Sequence, residues 1–600
     1  MVNGVNTLTQ NMINDENTIY VIQYDFVLCE NITIPTNCIL DFDGGSISGA
    51  YTITGNNTGI EAGLIKIFNT DITFSGTWAT KYINIKNFGA VGDGVIDDTN
   101  AFVSALNFVD IANNLENGSI SPGQQMKGSR VFIPNGRYKI SNTLHIKSQT
   151  IFEGETTNGV IINSSANIGI QIDGTLYNGS YIGDNIILRN FYLLMDNNSK
   201  IGIKNNANTP ISNSLFENFY IQGAEVGIIF KALWNNRFSN INILLANVGI
   251  ILSNDTNMGN NNNIFENVKC VSCNKCGVYL KSANGLTSNN LNIEGIGNNW
   301  RGDYDSVKIT VIDNITYNPT YPCAVYIEGL AYANHFNNSW FEALHEEENT
   351  VCAFYIANAD QYEGTQRMSV NIENGYFNND VDIPIRLSTN GRFFISKLQY
   401  WSNLNNGSIV VDFVDGMYLD LSLVDYSFVE NIKGNPEKAV KWANIHDILG
   451  PYNNFIKNYT FQNLQGYVLD KNYYSNPSNP VYSVSYEKQI DTGGKKIQEC
   501  INSVPIIGYD YNQNRLINFK SGGDVNYSTT NNGVLTIPGS WVYGAKYDIH
   551  LTALDSVGAA AIAGGYYISR GDYDNLQITF AAPPSTDCLF NYTVINNFSY

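Results

Sequence analysis

Basic residues are scarce in this chain of 600 residues: Lys and Arg number 34 against 54 Asp and Glu, for a net charge of −20 with only 5 His. No basic run offsets the acid, so nucleic acid and anionic membrane are not expected as partners. The same sign disfavours a polyanionic substrate such as pectate and favours neutral or weakly charged glycans. Long apolar runs are missing too, so no membrane insertion is expected. The N-terminus lacks a basic stretch followed by an apolar one, which points away from the usual export route or to a processed segment that is missing. The 9 cysteines are an odd number scattered along the chain and do not form a disulfide framework.

What remains is plentiful in turn formers and aromatics. Hydrophobic residues make up 43% and aromatics 12%, with 38 Tyr, so the chain is globular. Its length exceeds what one ordinary core supports, which leaves several domains or a repeat architecture. Charged residues are only 15%, and Asn, Ser, Thr and Gly fill the polar positions, as short strands joined by many turns require.

Repetition is visible directly. A large apolar residue, any residue, Asn and an apolar residue recur at Leu188–Phe191, Phe216–Phe219, Phe238–Ile241 and Phe265–Val268, with a degenerate copy at Ser288–Leu291. The Asn residues 190, 218, 240, 267 and 290 are 28, 22, 27 and 23 positions apart. A second series runs in phase: Ile201-Gly202-Ile203, Val226-Gly227-Ile228, Val248-Gly249-Ile250 and Cys276-Gly277-Val278, with looser members at Cys323, Cys352 and Ile383. Two in-phase strand signals per period make a solenoid rung, in which Gly or Ala permits a tight corner and Asn ladders from rung to rung. Uneven spacing, widest between Cys276 and Cys323, predicts loops of different lengths, where binding sites usually lie. Cys270, Cys273 and Cys276 are read as small residues of one solenoid turn, since no fourth zinc or iron–sulfur ligand is in evidence nearby.

Ahead of the repeats lies Phe88-Gly89-Ala90-Val91-Gly92-Asp93-Gly94-Val95-Ile96-Asp97-Asp98-Thr99. Gly92 and Gly94 permit positive φ around a tight turn, and Asp97 or Asp98 suits the start of a helix near 98. Phe102, Ala105, Leu106 and Val109 then make one apolar stripe at helical spacing. A second stretch follows at Val131–Ile140, Leu144-His145-Ile146 and Ile151-Phe152-Glu153-Gly154. The two together, in this order, resemble the start of the pectate-lyase-like right-handed parallel β-helix proteins, a group that includes many bacteriophage tail spikes. The resemblance implies that the helix caps the open end of the solenoid and that Asp93, Asp97 and Asp98 are turn and cap residues. The run Asp43-Gly44-Gly45-Ser46-Ile47 resembles openings of tail proteins from phages of gut Bacteroidota, crAss-like phages among them.

The expected fold is all-β. Residues 1–80 form a β-rich head, 81–130 the opening motif and capping helix, 131–430 the β-helix, 431–480 a neck and 481–600 a C-terminal β-sandwich. The resemblance further implies a homotrimeric tail spike or fibre in the virion, assembled in the host cytoplasm and acting outside the cell. On that reading the head docks to tail or baseplate proteins and the C-terminal part stabilises the trimer or contacts a receptor.

Chemistry is sought where carboxylates and aromatics meet, because glycoside hydrolysis needs two carboxyl groups flanking the bond. Trp340 beside Glu342 offers a platform next to an acid. Asp303 and Asp305, with Trp300 and Tyr304, lie on the long excursion, and Glu373 follows further along; all are expected to face one groove. Glu342, Asp303, Asp305 and Glu373 are the catalytic candidates, and Trp340, Trp300 and Tyr304 the glycan-binding ones. The competing reading is a solvated acidic loop beside core aromatics. Gly-His-Gly and Arg-Ile-Lys runs of polygalacturonases are absent, and Asn69-Thr70-Asp71 precedes the opening motif, so a plant-pectin hydrolase is disfavoured. No metal or cofactor is expected. A bacterial surface polysaccharide, bound or also cleaved, is the expected ligand; a secreted bacterial polysaccharide lyase or hydrolase is the alternative.

Overall fold

The computed structural model describes 6–113 apart from 81, then 129–401 with loop gaps of which 297–310, 254–259 and 345–350 are the longest, and strand segments of 409–597. Side chains are placed as far as 399 and again in parts of 527–592. Two compact units emerge, Met1–Phe455 and Ile456–Tyr600. No helix among the described residues is long and apolar enough to cross a membrane.

The first unit is a parallel β-solenoid. One long sheet runs through strands such as Leu215–Gln222, Arg237–Leu244, Asn334–Asn337 and Trp340–Glu342, and a ten-stranded sheet through Leu144–Ile146, Val226–Lys231, Cys276–Lys281 and Ile409–Val411. A shorter sheet through Ile211–Ser212, Leu233–Trp234 and Asn260–Asn261 turns the corner between them. Period-two alternation sends one set of residues into the bore. Phe216, Phe219, Phe238, Ile241 and Phe265 are all fully buried there. Register makes like side chains stack: Phe191 on Phe219 at 4.9 Å, Phe216 on Phe238 at 4.8 Å, Phe341 on Phe377 at 5.3 Å. Each such pair adds about 0.5–1.5 kcal/mol beyond the area it buries.

The recurrent Asn residues do two things at once. Asn190, 218, 240, 267, 290, 338 and 374 all have φ between 53° and 63°, the left-handed region that bends each rung between two strand segments. Their amides also ladder: Asn240 Nδ2 donates to Asn218 Oδ1, Asn267 to Asn240 and Asn290 to Asn267, each at 3.0 Å. Asn tolerates this backbone and supplies both a donor and an acceptor, which is why it and not Gly recurs. Val226, Val248, Cys276, Cys323, Cys352 and Ile383 stand in register on successive strands of the ten-stranded sheet. Ile315, from the hairpin Val311–Ile312 and Ile315–Thr316, joins the buried cluster that this column forms with Tyr279, Tyr326 and Tyr355.

Residues 6–80 use the same construction with a period of 20. Strands Asn6–Leu8, Phe26–Leu28 and Ile47–Ser48 pair in parallel, as do Ile19–Ile22, Ile39–Phe42 and Thr52–Ala62. Asn17, Asn37 and Asn57 form a ladder at φ 52–59°, with Asn37 Nδ2 donating to Asn17 Oδ1 and Asn57 Nδ2 to Asn37 Oδ1. Between these rungs and the main solenoid lies the helix Thr99–Ala112. The predicted stripe Phe102, Ala105, Leu106 and Val109 is buried, and Phe102 packs edge-on against Tyr138 at 5.6 Å. The helix is apolar on a second side as well. Phe108 meets Phe74 at 5.0 Å and Trp78 at 5.1 Å, so the helix is covered from both directions.

In the second unit, strands Gly466–Tyr474, Val484–Asp491, Lys496–Ile501, Val504–Asp510 and Arg515–Asn518 form an antiparallel sheet. Two further three-stranded antiparallel sheets follow. Tyr527, Ile549, Phe590 and Tyr592 of one share a core with Leu535, Ile537, Leu576, Ile578 and Phe580 of the other. The helix Ser556–Ala563 is capped by Asp555, whose carboxylate accepts from Gly558 N and Leu589 N. Those bonds hold the Asp555 carboxyl below the usual range.

Candidate functional site

Each aspartate of the opening motif accepts from nearby backbone N–H groups. Asp93 Oδ1 accepts from Ile96 N at 2.9 Å and Val95 N at 2.8 Å, closing the turn, and these bonds hold its carboxyl low. Asp97 Oδ1 accepts from Thr99 N at 2.9 Å at the helix start; burial raises its carboxyl, but bonds from Ser141 and Thr99 outweigh that. Asp98 occupies the N-cap position without bonding the helix. Its carboxylate instead accepts from Val91 N at 2.7 Å and Gly92 N at 3.2 Å, and burial pushes its carboxyl up. Capping thus falls to Asp97, while Asp98 ties the turn to the helix.

The cysteine cluster is interior. Cys270, Cys273 and Cys276 are fully buried, and the Cys270 thiol, bonded to Cys273 and desolvated, is pushed well above its ordinary value. A thiol held in its neutral form packs as a small hydrophobe. Among the described residues no group of three or more His, Cys, Asp and Glu is placed to hold a metal ion.

Chemistry-bearing groups collect on the outer face of the long sheet, over the strands Lys269–Val271, Asn292–Glu294, Trp340–Glu342 and Tyr376–Asn378. The middle residues Cys270, Ile293, Phe341 and Phe377 are fully buried, so alternation turns their neighbours outward. One column runs Lys269, Asn292, Trp340, Tyr376 and Gln399; the next runs Val271, Glu294 and Glu342. Trp340 and Tyr376 stack at 4.1 Å with planes 15° apart. The Trp340 indole Nε1 donates to Glu342 Oε2 at 3.1 Å. One rung earlier Glu294 is the register partner of Glu342, and its Oε1 receives Lys269 Nζ at 2.8 Å. Burial, and then the charge of Glu342, push the Tyr376 phenol above its ordinary value, so it stays a neutral donor at physiological pH. The buried Asn292 Oδ1 beside Trp340 has no hydrogen-bond partner.

Of the residues expected from sequence, Trp340 and Glu342 are thus brought together. Glu373 is not: it belongs to the strand segment before the Asn374 bend, ahead of the strand that pairs with Glu342's. The register partner of Glu373 on the neighbouring rung is Asn337, not Glu342. Glu373 is instead ion-paired with Lys397. Asp303, Asp305, Trp300 and Tyr304 lie outside the described residues. Glu294, Tyr376 and Lys269 were missed. The signal was present for Glu294, since Asn292-Ile293-Glu294 repeats the pattern of Trp340-Phe341-Glu342 one rung earlier.

The surface offers an aromatic face, two carboxylates on adjacent rungs and a lysine. Chemically this set is suited to hydroxyl-rich ligands: rings of this kind can carry the apolar face of a sugar, and carboxylates can accept from its hydroxyls.

Comparison with known proteins places these features. Residues 82–328 match the family model described as rhamnogalacturonase A/epimerase, pectate lyase-like. The pre-neck appendage protein of Bacillus phage B103 is 27% identical over 113 residues, which is 18% of this chain and 11% of that protein. The chain therefore spans about a ninth of the length of that curated relative. Among solved structures, the gp42 tailspike of Acinetobacter phage vb_AbaP_AS12 aligns over 73% of this chain and 78% of its own, at 11% identity and TM-score 0.42. The gp49 tailspike of Pseudomonas phage LKA1 aligns over 86% and 99%, at 11% identity and TM-score 0.32. The A-module of the Azotobacter vinelandii mannuronan C-5 epimerase AlgE4 aligns over 62% and 96%, at 15% identity and TM-score 0.35. Its two motifs and its laddered rungs lie within or beside the stretch 82–328 that matches this pectate-lyase-like family model, which covers less than half of the chain.

Proposed function

We propose that this chain is a bacteriophage tail spike whose solenoid flank binds a bacterial surface polysaccharide. The observation that carries the reading is the Trp340–Tyr376 stack on the outer face of the long sheet, with Glu342 bonded to the indole and Glu294 in register beside it. A stacked aromatic pair serving only the core would be covered on both sides; these side chains are only half-buried. The phage pre-neck appendage relative supports the virion setting. Neutral or weakly charged glycan suits the net charge of −20. Homotrimer assembly and docking of the N-terminal part to the tail belong to the same reading.

Cleavage is a second reading, favoured by one observation. Glu294 and Glu342 sit on adjacent rungs, whose backbones are about 4.8 Å apart, near the carboxyl separation of about 5–5.5 Å used by retaining glycosidases. Purified protein is incubated with capsular polysaccharide from a susceptible host, and binding and new reducing ends are both measured. Tight binding lost in Trp340→Ala supports the flank as the site. Binding unaffected by that change refutes it, and tight binding without new ends refutes cleavage.

A further inference from the structure

The geometry points to a second glycan site, for neutral oligosaccharides, in a groove on the N-terminal rungs. The groove encloses about 770 Å³ and is lined by Ile39, Asp41, Asn57, Gly59, Glu61 and Tyr82 among others. That volume is within the roughly 300–1,000 Å³ of small-molecule sites. Nothing in the opening motif, the laddered rungs or the Trp340 surface accounts for it.

Its walls follow from the register. Strands Ile39–Phe42 and Thr52–Ala62 pair in parallel with Ile39 opposite Gly59 and Asp41 opposite Glu61. Leu40 and Phe42 point into the core at 0% and 4% exposure, so Ile39 and Asp41 face out. Gly59 leaves a recess: a Cβ there would stand 3.4 Å from Ile39 Cγ1. The floor is therefore low where a side chain would otherwise fill it. Asp41 and Glu61 bring two carboxylates to adjacent rungs, about 4.8 Å apart at the backbone. Tyr82 is 54% exposed and begins the long sheet at the far wall. Asn57 is the last member of the N-terminal ladder; its amide nitrogen is used on Asn37, and no bond to its Oδ1 is made among the described residues.

This combination selects a ligand class. Hydroxyl groups donate to carboxylates and to the Asn57 oxygen, and the C–H face of a pyranose lies on an exposed aromatic ring. A simple cation would use the carboxylates but leave Tyr82 and the length of the groove idle. An anionic sugar meets two carboxylates and no cationic side chain among the described lining residues, so it is repelled. A neutral oligosaccharide uses every wall. The inference shares with the flank proposal the premise that the chain binds glycans, but not the location.

The test uses the full-length protein and isothermal titration with maltotetraose, mannotetraose and cellotetraose, with tetragalacturonate as anionic probe and a chitosan tetramer as cationic probe. At least one neutral probe is expected to bind. Affinity is expected to fall tenfold or more, roughly 1.4 kcal/mol, in Tyr82→Ala and in the double variant Asp41→Asn, Glu61→Gln. Gly59→Val, which fills the recess while leaving the polar groups, gives the same loss. Each of these variants is also made in the Trp340→Ala background, where the flank proposed above is disabled and the remaining binding reports the groove alone. Thermal melts establish that each variant folds; should Gly59→Val unfold, the other two variants still decide. No neutral probe binding, a preference for the charged probes, or binding that survives Tyr82→Ala in that background overturns the inference. Loss in Trp340→Ala but not in Tyr82→Ala assigns the binding to the flank and overturns it too.

Discussion

Trp340 and Tyr376 lie face to face at 4.1 Å on successive rungs, 36 residues apart in the chain but register partners in the sheet. Both residues are only partly buried, so the pair offers a contact surface as well as packing. Trp340→Ala is expected to cost about 0.5–1.5 kcal/mol of stability for the lost aromatic pair in addition to the area the ring buries, while weakening polysaccharide binding by about tenfold or more. Tyr376→Phe, which keeps the ring and removes the phenol, retains most of the stacking. Surface plasmon resonance against immobilised capsule, alongside thermal melts, separates the two effects.

The Asn ladder predicts an inversion of the usual order of substitutions. Asn240 has φ 53° and exchanges amide bonds with Asn218 and Asn267. Asn240→Ala keeps a Cβ in left-handed backbone but removes the short polar side chain that lets Asn adopt it, so up to about 1–2 kcal/mol of strain remains, and it loses bonds worth about 1 kcal/mol each. Asn240→Gly loses only the bonds. Glycine, normally the worse residue in a strand, is therefore expected to be the milder change at this position, by about 1–2 kcal/mol in chemical denaturation.

Asp110 sets a pH dependence. It is 7% exposed near the end of the capping helix, and burial pushes its carboxyl up to about 6 despite Lys147 Nζ at 2.9 Å. A carboxyl raised above its unfolded value binds its proton more tightly when folded. Its contribution is present in full below about pH 4, declines as pH rises toward 6, and is gone above that; the fall is roughly 3 kcal/mol at most. Asp110→Asn removes this titration, and the stability profile of the variant is expected to be flatter than wild type between pH 4 and 6. A variant profile that falls as steeply as wild type across that window refutes the assignment.

These relations show what a linear reading captures in a solenoid. Period-two alternation and the recurrent Asn told which residues face the bore and where each rung bends, because both are local properties. Lateral neighbours are not local: Glu294 meets Glu342 across 48 positions because the two are register partners on adjacent rungs. Glu373 looked equally close to Glu342 in sequence, yet the Asn374 bend puts it on another strand segment with Lys397. The capping helix was legible on the face that meets Tyr138 and not on the one that meets Trp78, since Phe108 falls outside the predicted stripe. The 20-residue Asn ladder of the N-terminal rungs went unread because only three copies carry it.

The carboxylate pair yields the sharpest test of chemistry. Glu294 is neutralised by Lys269 at 2.8 Å, and Glu342 accepts the Trp340 indole at 3.1 Å. If the pair cleaves, both are needed, and Glu342→Gln and Glu294→Gln should each reduce new reducing ends by two orders of magnitude or more while capsule binding changes less than about threefold. If the pair only binds, each Gln variant keeps the side-chain shape but offers one acceptor fewer, and affinity falls by an amount near one hydrogen bond to a charged group, about 1.5–3 kcal/mol. Lys269→Met discriminates further. It leaves the Glu294 carboxylate without its ion-pair partner, so a change in new reducing ends larger than the change in capsule binding marks catalysis, and a change in capsule binding with no reducing ends from either protein marks recognition alone.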